Sequence, residues 1–94
     1  MRIKATFFTV HSDWVAEKTP SRDTVVRGSM IRVRDMAAPT TQGLWVHIPA
    51  KQWVEHDVHI LQFLPCGEED LDAVVVDSAG KITRVRTDWL LIET

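Results

Sequence analysis

The chain has 94 residues, 45% of them hydrophobic and 26% charged, with a formal charge of −2 and a single cysteine, Cys66. This composition excludes a disordered segment, which would be less hydrophobic and more highly charged, and a disulfide-stapled mini-protein, because one thiol cannot form an internal bridge. It also speaks against a dedicated nucleic-acid domain, which is usually basic overall, and no apolar run approaches the ~18 residues of a membrane span.

The length suits one domain over residues 1–94. The stretch 1–10 mixes charges with apolar residues, but Thr6 and Thr9 interrupt it and His11-Ser12-Asp13 follows, so it does not read as a signal peptide. A cytoplasmic location is the expectation by elimination.

In chain order, residues 3–10 read as a first strand, rich in β-branched and aromatic side chains. Residues 18–23, around Pro20, read as a loop. Residues 24–35 alternate apolar and polar, which predicts a second strand with Gly28-Ser29 as a bulge or bend. Residues 36–43 form a flexible connection. Gly43-Leu-Trp-Val-His-Ile-Pro49 predicts a strand with Leu44, Val46 and Ile48 on one face and Trp45 and His47 on the other.

Residues 50–64 admit two readings. Val54, Val58 and Leu61 fall at helical spacing after Pro49. The bulky apolar run Val58–Leu64 favours a turn followed by a strand. The last third is plainer: a strand over 71–76, a hairpin loop over 77–81, and a return strand over 82–86. A short turn at 87–90 and a closing strand over 91–93 follow.

Hairpin, single helical turn and short closing strand, in that order over 71–93, resemble the end of an SH3-like small barrel, with 24–35 as an earlier barrel strand. The likeness is architectural and carries no function. Locally, Ile31-Arg-Val-Arg-Asp35 followed by Gly43-Leu-Trp-Val-His-Ile-Pro-Ala-Lys51 looks like the strand pair of the SpoVG family of small DNA-binding regulators, although the flanking sequence departs from that pattern and the family is not adopted.

Five constellations bear on chemistry. Arg32 and Arg34 flank Val33, and Arg84 and Arg86 flank Val85, so each pair points one way from its strand. In one sheet, four guanidiniums would share a face and suit phosphates or carboxylates. A solvated strand offset by Asp35, Asp77 and Asp88 is the plainer account. Among His11, His47, His56 and His59, the run His56-Asp57-Val58-His59 is metal-like only on a helix, and Glu55 and Cys66 are the nearest further ligands. Cys66 sits beside Glu68 and Glu69, which make a poorer nucleophile of its thiol. Trp89, followed by Leu90-Leu91-Ile92, reads as core, and Trp45 as an outer-face residue, a partner anchor or a second packed layer. Glu68-Glu69-Asp70 with Asp72 reads as a solvated acidic loop.

The expectation is therefore a mostly β protein, a small SH3-like barrel or a strongly bent antiparallel sheet, with at most one short helix near 50–64. The function expected is that of a non-enzymatic interaction module. It would bind a protein partner, or itself as a homodimer, through an outer strand face of Arg32, Arg34, Trp45, His47, Arg84 and Arg86. One alternative is a nucleic-acid-binding small β-barrel, with these arginines on phosphates and Trp45 or Trp53 stacked on a base. The other is a metal-binding or enzymatic protein built on His56, Asp57 and His59. No cofactor and no membrane partner are expected.

Overall fold

The computed structural model describes residues 2–11, 13–19, 21–38 and 40–93. It consists of β1 (Ile3–His11), β2 (Trp14–Ala16), α1 (Arg22–Val26), β3 (Ser29–Asp35), β4 (Leu44–Ile48), β5 (Val54–Cys66), β6 (Asp70–Asp77), β7 (Ile82–Arg86) and β8 (Leu91–Ile92). Two 3-10 turns, Ala50–Gln52 and Thr87–Trp89, precede β5 and β8. All pairings are antiparallel. The strands follow the order β4-β3-β2-β1-β5-β6-β7, with β8 on β1.

β1 is the hub. It pairs with β5 from Ile3↔Ile60 to Thr9↔Val54, and with β8 at Ala5↔Ile92 and Thr6↔Leu91. Ala5 and Thr6 therefore lie between strands on both edges, which accounts for their near-complete burial. The register shifts between Thr9 and His11, and again between Ile60 and Gln62. Such bulges increase local twist and bend a strand, which lets one long β5 serve both ends of a curved sheet. The sheet is strongly bent and is not closed into a barrel.

Alternation along β1 feeds two cores. Ala5 and Phe7 point into a cluster with Val15, Val58, Ile60, Ala73, Val75, Val85, Trp89 and Leu90. Phe8 points to the opposite face, where it meets Ala16, Val25 and Ile31, with Trp53 and Leu91 packed alongside. Trp53 meets Phe8 edge to face at 6.4 Å between centroids. The short helix α1 exists to cover this second face with Val25. Ser21 caps it, its Oγ accepting from the Thr24 N–H at 3.2 Å.

Several sequence expectations change here. Residues 24–35 are not one strand: 22–26 form α1, and β3 starts at Ser29. Gly28 is no bulge. It ends the helix with φ of +77°, a conformation that costs glycine little, and the Gly28 N–H donates to the Val25 carbonyl at 3.1 Å. Within 50–64, only Ala50–Gln52 is helical, and the strand reading holds from Val54 onward. Burial of alternate apolar residues in a sheet outweighed the helical spacing of Val54, Val58 and Leu61. The hairpin, the turn at 87–89 and the closing strand stand where expected. Of the loop expected over 18–23, Arg22 and Asp23 belong instead to α1, whereas the described residues of 36–43 form a connection as expected; Pro20 and Pro39 themselves lie outside the described residues.

Candidate functional site

The outer-face residues divide into two groups. On β3 and β4, Arg32 stands opposite Trp45 and Met30 opposite His47, so these four side chains share one face with Arg34. Trp45 is 67% exposed and Met30 is exposed beside it. Leu44 on the opposite face is exposed as well, so alternation by itself does not divide β4 into an inner and an outer side.

The arginines of this group are tied down. Glu17, just after β2, is held by its N–H donating to the Arg32 carbonyl at 2.8 Å. Its carboxylate meets the Arg34 Nη2 at 3.1 Å and the Arg32 Nε at 3.5 Å. Gly43 lets the chain pass close over this pair: a Cβ there would lie 2.7 Å from the Glu17 Oε2 and 3.0 Å from the Val33 carbonyl oxygen. Arg34 also donates to the Thr41 carbonyl.

Arg84 and Arg86 do not join that face. Thr83 and Val85 share the face of Val75 and Ala73, so the two arginines point the other way, where Asp72 stands opposite Arg86. Arg84 Nε donates to the Asp72 Oδ2 at 2.8 Å, and Arg86 reaches Asp70 at 3.0 Å and Asp72 at 3.5 Å. The expectation of four guanidiniums on one face is corrected: the strands carrying them are separated by β2, β1, β5 and β6. The carboxylates that pair with them include Glu17, Asp70 and Asp72. Arg34 and Arg86 do line one small cleft with Trp89, each standing near the end of its strand.

Sequence reading missed the opposite side of β4. Leu44, Val46 and Ile48 form no buried layer; only Ile48 is buried, and Leu44 is 55% exposed. With Val10, Trp14 and Val33 they line an open apolar groove of about 210 Å³. The reason is position. β4 ends the strand path, and among the described residues no strand pairs with its far edge. β7 ends the path on the other side. Unlike β7, β4 carries no acidic, Lys or Arg side chain.

No family model, curated protein or solved structure matches this chain.

The histidine run lies on a strand, not a helix. β5 sends His56 and His59 to opposite faces, and Asp57 points away from His56. Asp57 accepts instead from Thr6 Oγ1 at 3.0 Å, and Arg22 of α1 pairs with Glu55 at 3.0 Å and with Asp57 at 3.9 Å. Among the described residues no three His, Cys, Asp or Glu side chains converge as metal ligands. Among the described residues, too, no helix is long and apolar enough to cross a membrane. Cys66 is a partly buried free thiol at the end of β5.

His56 occupies a different setting from its sequence neighbours. Its ring stacks on Phe7 with centroids 4.7 Å apart, and its Nε2 lies 2.8 Å from the Thr9 Oγ1. Burial pushes the imidazole below its ordinary value, against the opposing pull of Asp77 and Asp57, with Lys81 adding to the depression. A folded state that holds this histidine neutral binds fewer protons than the unfolded chain. Its contribution to stability is present above the unfolded value of 6.5 and is lost as pH falls through the lower folded value. Urea midpoints measured from about pH 8 down to about pH 5 are expected to fall, and His56→Gln should flatten that part of the curve. An unchanged slope in the variant would assign the acid sensitivity elsewhere.

Proposed function

We propose that the protein is a non-enzymatic interaction module that binds a protein partner by strand addition at β4. One observation carries this: β4 is an uncharged end strand with Trp45 exposed on one face and an apolar groove on the other. Sheet edges present unpaired backbone N–H and C=O groups and are normally guarded by charges. The edge at β7 has such guards in Arg84 and Arg86. The edge at β4 has none, and a partner strand would gain main-chain hydrogen bonds there while filling side-chain sites on both faces.

A second copy of the chain satisfies the same edge. Antiparallel pairing about Val46 sets Leu44 against Ile48 and Trp45 against His47, with no like charges opposed. The same operation at β7 would bring arginines together. The hairpin, turn and closing strand that end the chain keep the order of SH3-like modules, an architectural likeness that suits a binding role. The ion-paired state of Arg32, Arg34, Arg84 and Arg86 removes much of the support for a phosphate-binding face.

Trp45→Ala should weaken association by about thirty-fold or more, as removal of an interface anchor costs about 2 kcal/mol. The same change should leave Tm nearly unaltered, since the side chain packs little in the isolated chain. A photo-reactive residue at position 47 should give a discrete covalent adduct in cells, lost in a Val46→Lys background that places a charge on the edge. An adduct of twice the chain mass identifies the second copy. Absence of any adduct, or one indifferent to Val46→Lys, overturns the assignment of β4 as the binding edge.

A further inference from the structure

The bent sheet leaves its inner face unevenly filled. At one end Trp89, Leu90, Val85 and Ala73 close the core. At the other end a cavity of about 220 Å³ remains open, floored by Phe7, Val58 and Val75, all buried. Protein interiors pack at crystal-like density, so what sets this opening apart is that it reaches side chains of the buried core. A cavity of roughly 150 Å³ already holds a benzene ring, so this one has room for a ring or branched alkyl group plus a small head.

The rim is polar and carries both signs of charge. Asp77 lines it, and its Oδ1 accepts from the N–H groups of Ala79 and Lys81, both at 2.9 Å. Those bonds fix the direction of the carboxylate, and among the described residues Oδ2 makes no hydrogen bond or ion pair. Lys81 lines it too, and among the described residues its ammonium makes no ion pair. Thr83 adds a hydroxyl, and His56 stands over the floor with its Nε2 engaged by Thr9. A ligand with a single net charge would complement one of these groups and face the like charge of the other. A head group with an ammonium and a carboxylate complements both.

We infer that this inner-face cavity is a binding site for a small zwitterion with an apolar body, the chemistry of a free apolar α-amino acid. The side chain lies on Phe7, Val58 and Val75, the ammonium meets Asp77, and the carboxylate meets Lys81. The site is independent of the β4 edge, since Trp45 and the apolar groove contribute nothing to it.

The test is a two-dimensional NMR titration of the full chain with phenylalanine, 3-phenylpropionate and phenethylamine, the last two lacking one charge each. Shifts concentrated on the cavity lining, with those of Asp77 and Lys81 among the largest, are expected, and phenylalanine should bind about ten-fold more tightly than either analogue, the effect of losing one charge-assisted contact. Asp77→Asn keeps a side-chain oxygen for the loop N–H groups and should raise the Kd for phenylalanine about ten-fold while leaving that for 3-phenylpropionate unchanged or lower. Lys81→Gln should do the converse. Equal affinity for all three compounds, or no localised shifts up to the solubility limit of phenylalanine, would overturn the proposal.

Discussion

Trp89→Ala is expected to destabilise the protein by about 3–5 kcal/mol, the range for truncating a buried tryptophan. Trp89 ends the 3-10 turn Thr87–Trp89 and is only 4% exposed. Its ring belongs to the cluster that holds Val15 of β2 beside Val85 of β7 and Leu90. Small domains are stable by about 5–15 kcal/mol in total, so this one side chain accounts for a large share. The loss should reach beyond the local turn, because β8 follows directly and pairs with Ala5 and Thr6 of the hub strand. Chemical denaturation should show the lowered midpoint, and hydrogen exchange should show lost protection at Ala5 and Thr6. Trp89→Phe, which keeps most of the apolar volume, should cost much less. A change below about 1 kcal/mol for Trp89→Ala would mean that the turn is not part of the cooperative core.

Glu17→Ala is expected to cost about 2–3 kcal/mol, somewhat under the range for breaking a fully buried ion pair. The Glu17 side chain is 11% exposed and that of Arg34 is 15% exposed, so the pair is only weakly hydrated. Arg32 is about one-third exposed and recovers some water, which lowers the cost. With the carboxylate gone, Arg32 Nε has no acceptor: it already makes no hydrogen bond of good geometry in the buried contact with Glu17. Glu17→Gln should fall between wild type and Ala, retaining an acceptor but not the charge. The measurement is a double-mutant cycle with Arg34→Met, where a coupling energy near zero would show the pair to be incidental. Raised salt should change the cost little, since a buried pair is poorly screened. Glu17→Ala also bears on the arginines themselves. If freeing Arg32 and Arg34 creates nucleic-acid affinity absent from the wild type, the carboxylate is what keeps this face from acting as a phosphate site.

Much of the architecture was legible because period-2 alternation reports burial on one side of a strand. Residues 71–93 gave the hairpin, the turn and the closing strand, and Trp89 was placed in the core by the apolar run that follows it. Alternation did not settle the exposure of Trp45, because both faces of β4 carry exposed side chains, Leu44 on one and Trp45 on the other. α1 was not legible, because five residues have no periodic signature and Thr24, Val25 and Val26 are β-branched; what selects a helix there is the Ser21 cap and the demand for Val25 over Phe8.

What strand patterns cannot encode is which strand lies next to which. Arg32, Arg34, Arg84 and Arg86 read alike in the chain, yet β3 and β7 fall near opposite ends of the path, and each pair meets its own carboxylates. Leu44, Val46 and Ile48 read as one apolar strand face, but β4 is an end strand and the groove on that face stays open. His56 and Asp77 are twenty-one positions apart. Only the antiparallel register of β5 and β6, which sets Val58 opposite Asp77, brings them to one cavity. Local sequence thus determined most of the strands and the hairpin, though not β2 or the boundary of α1 with β3. Strand order, decided by long-range burial around β1, determined which of those side chains became core, ion pair, exposed edge or cavity wall.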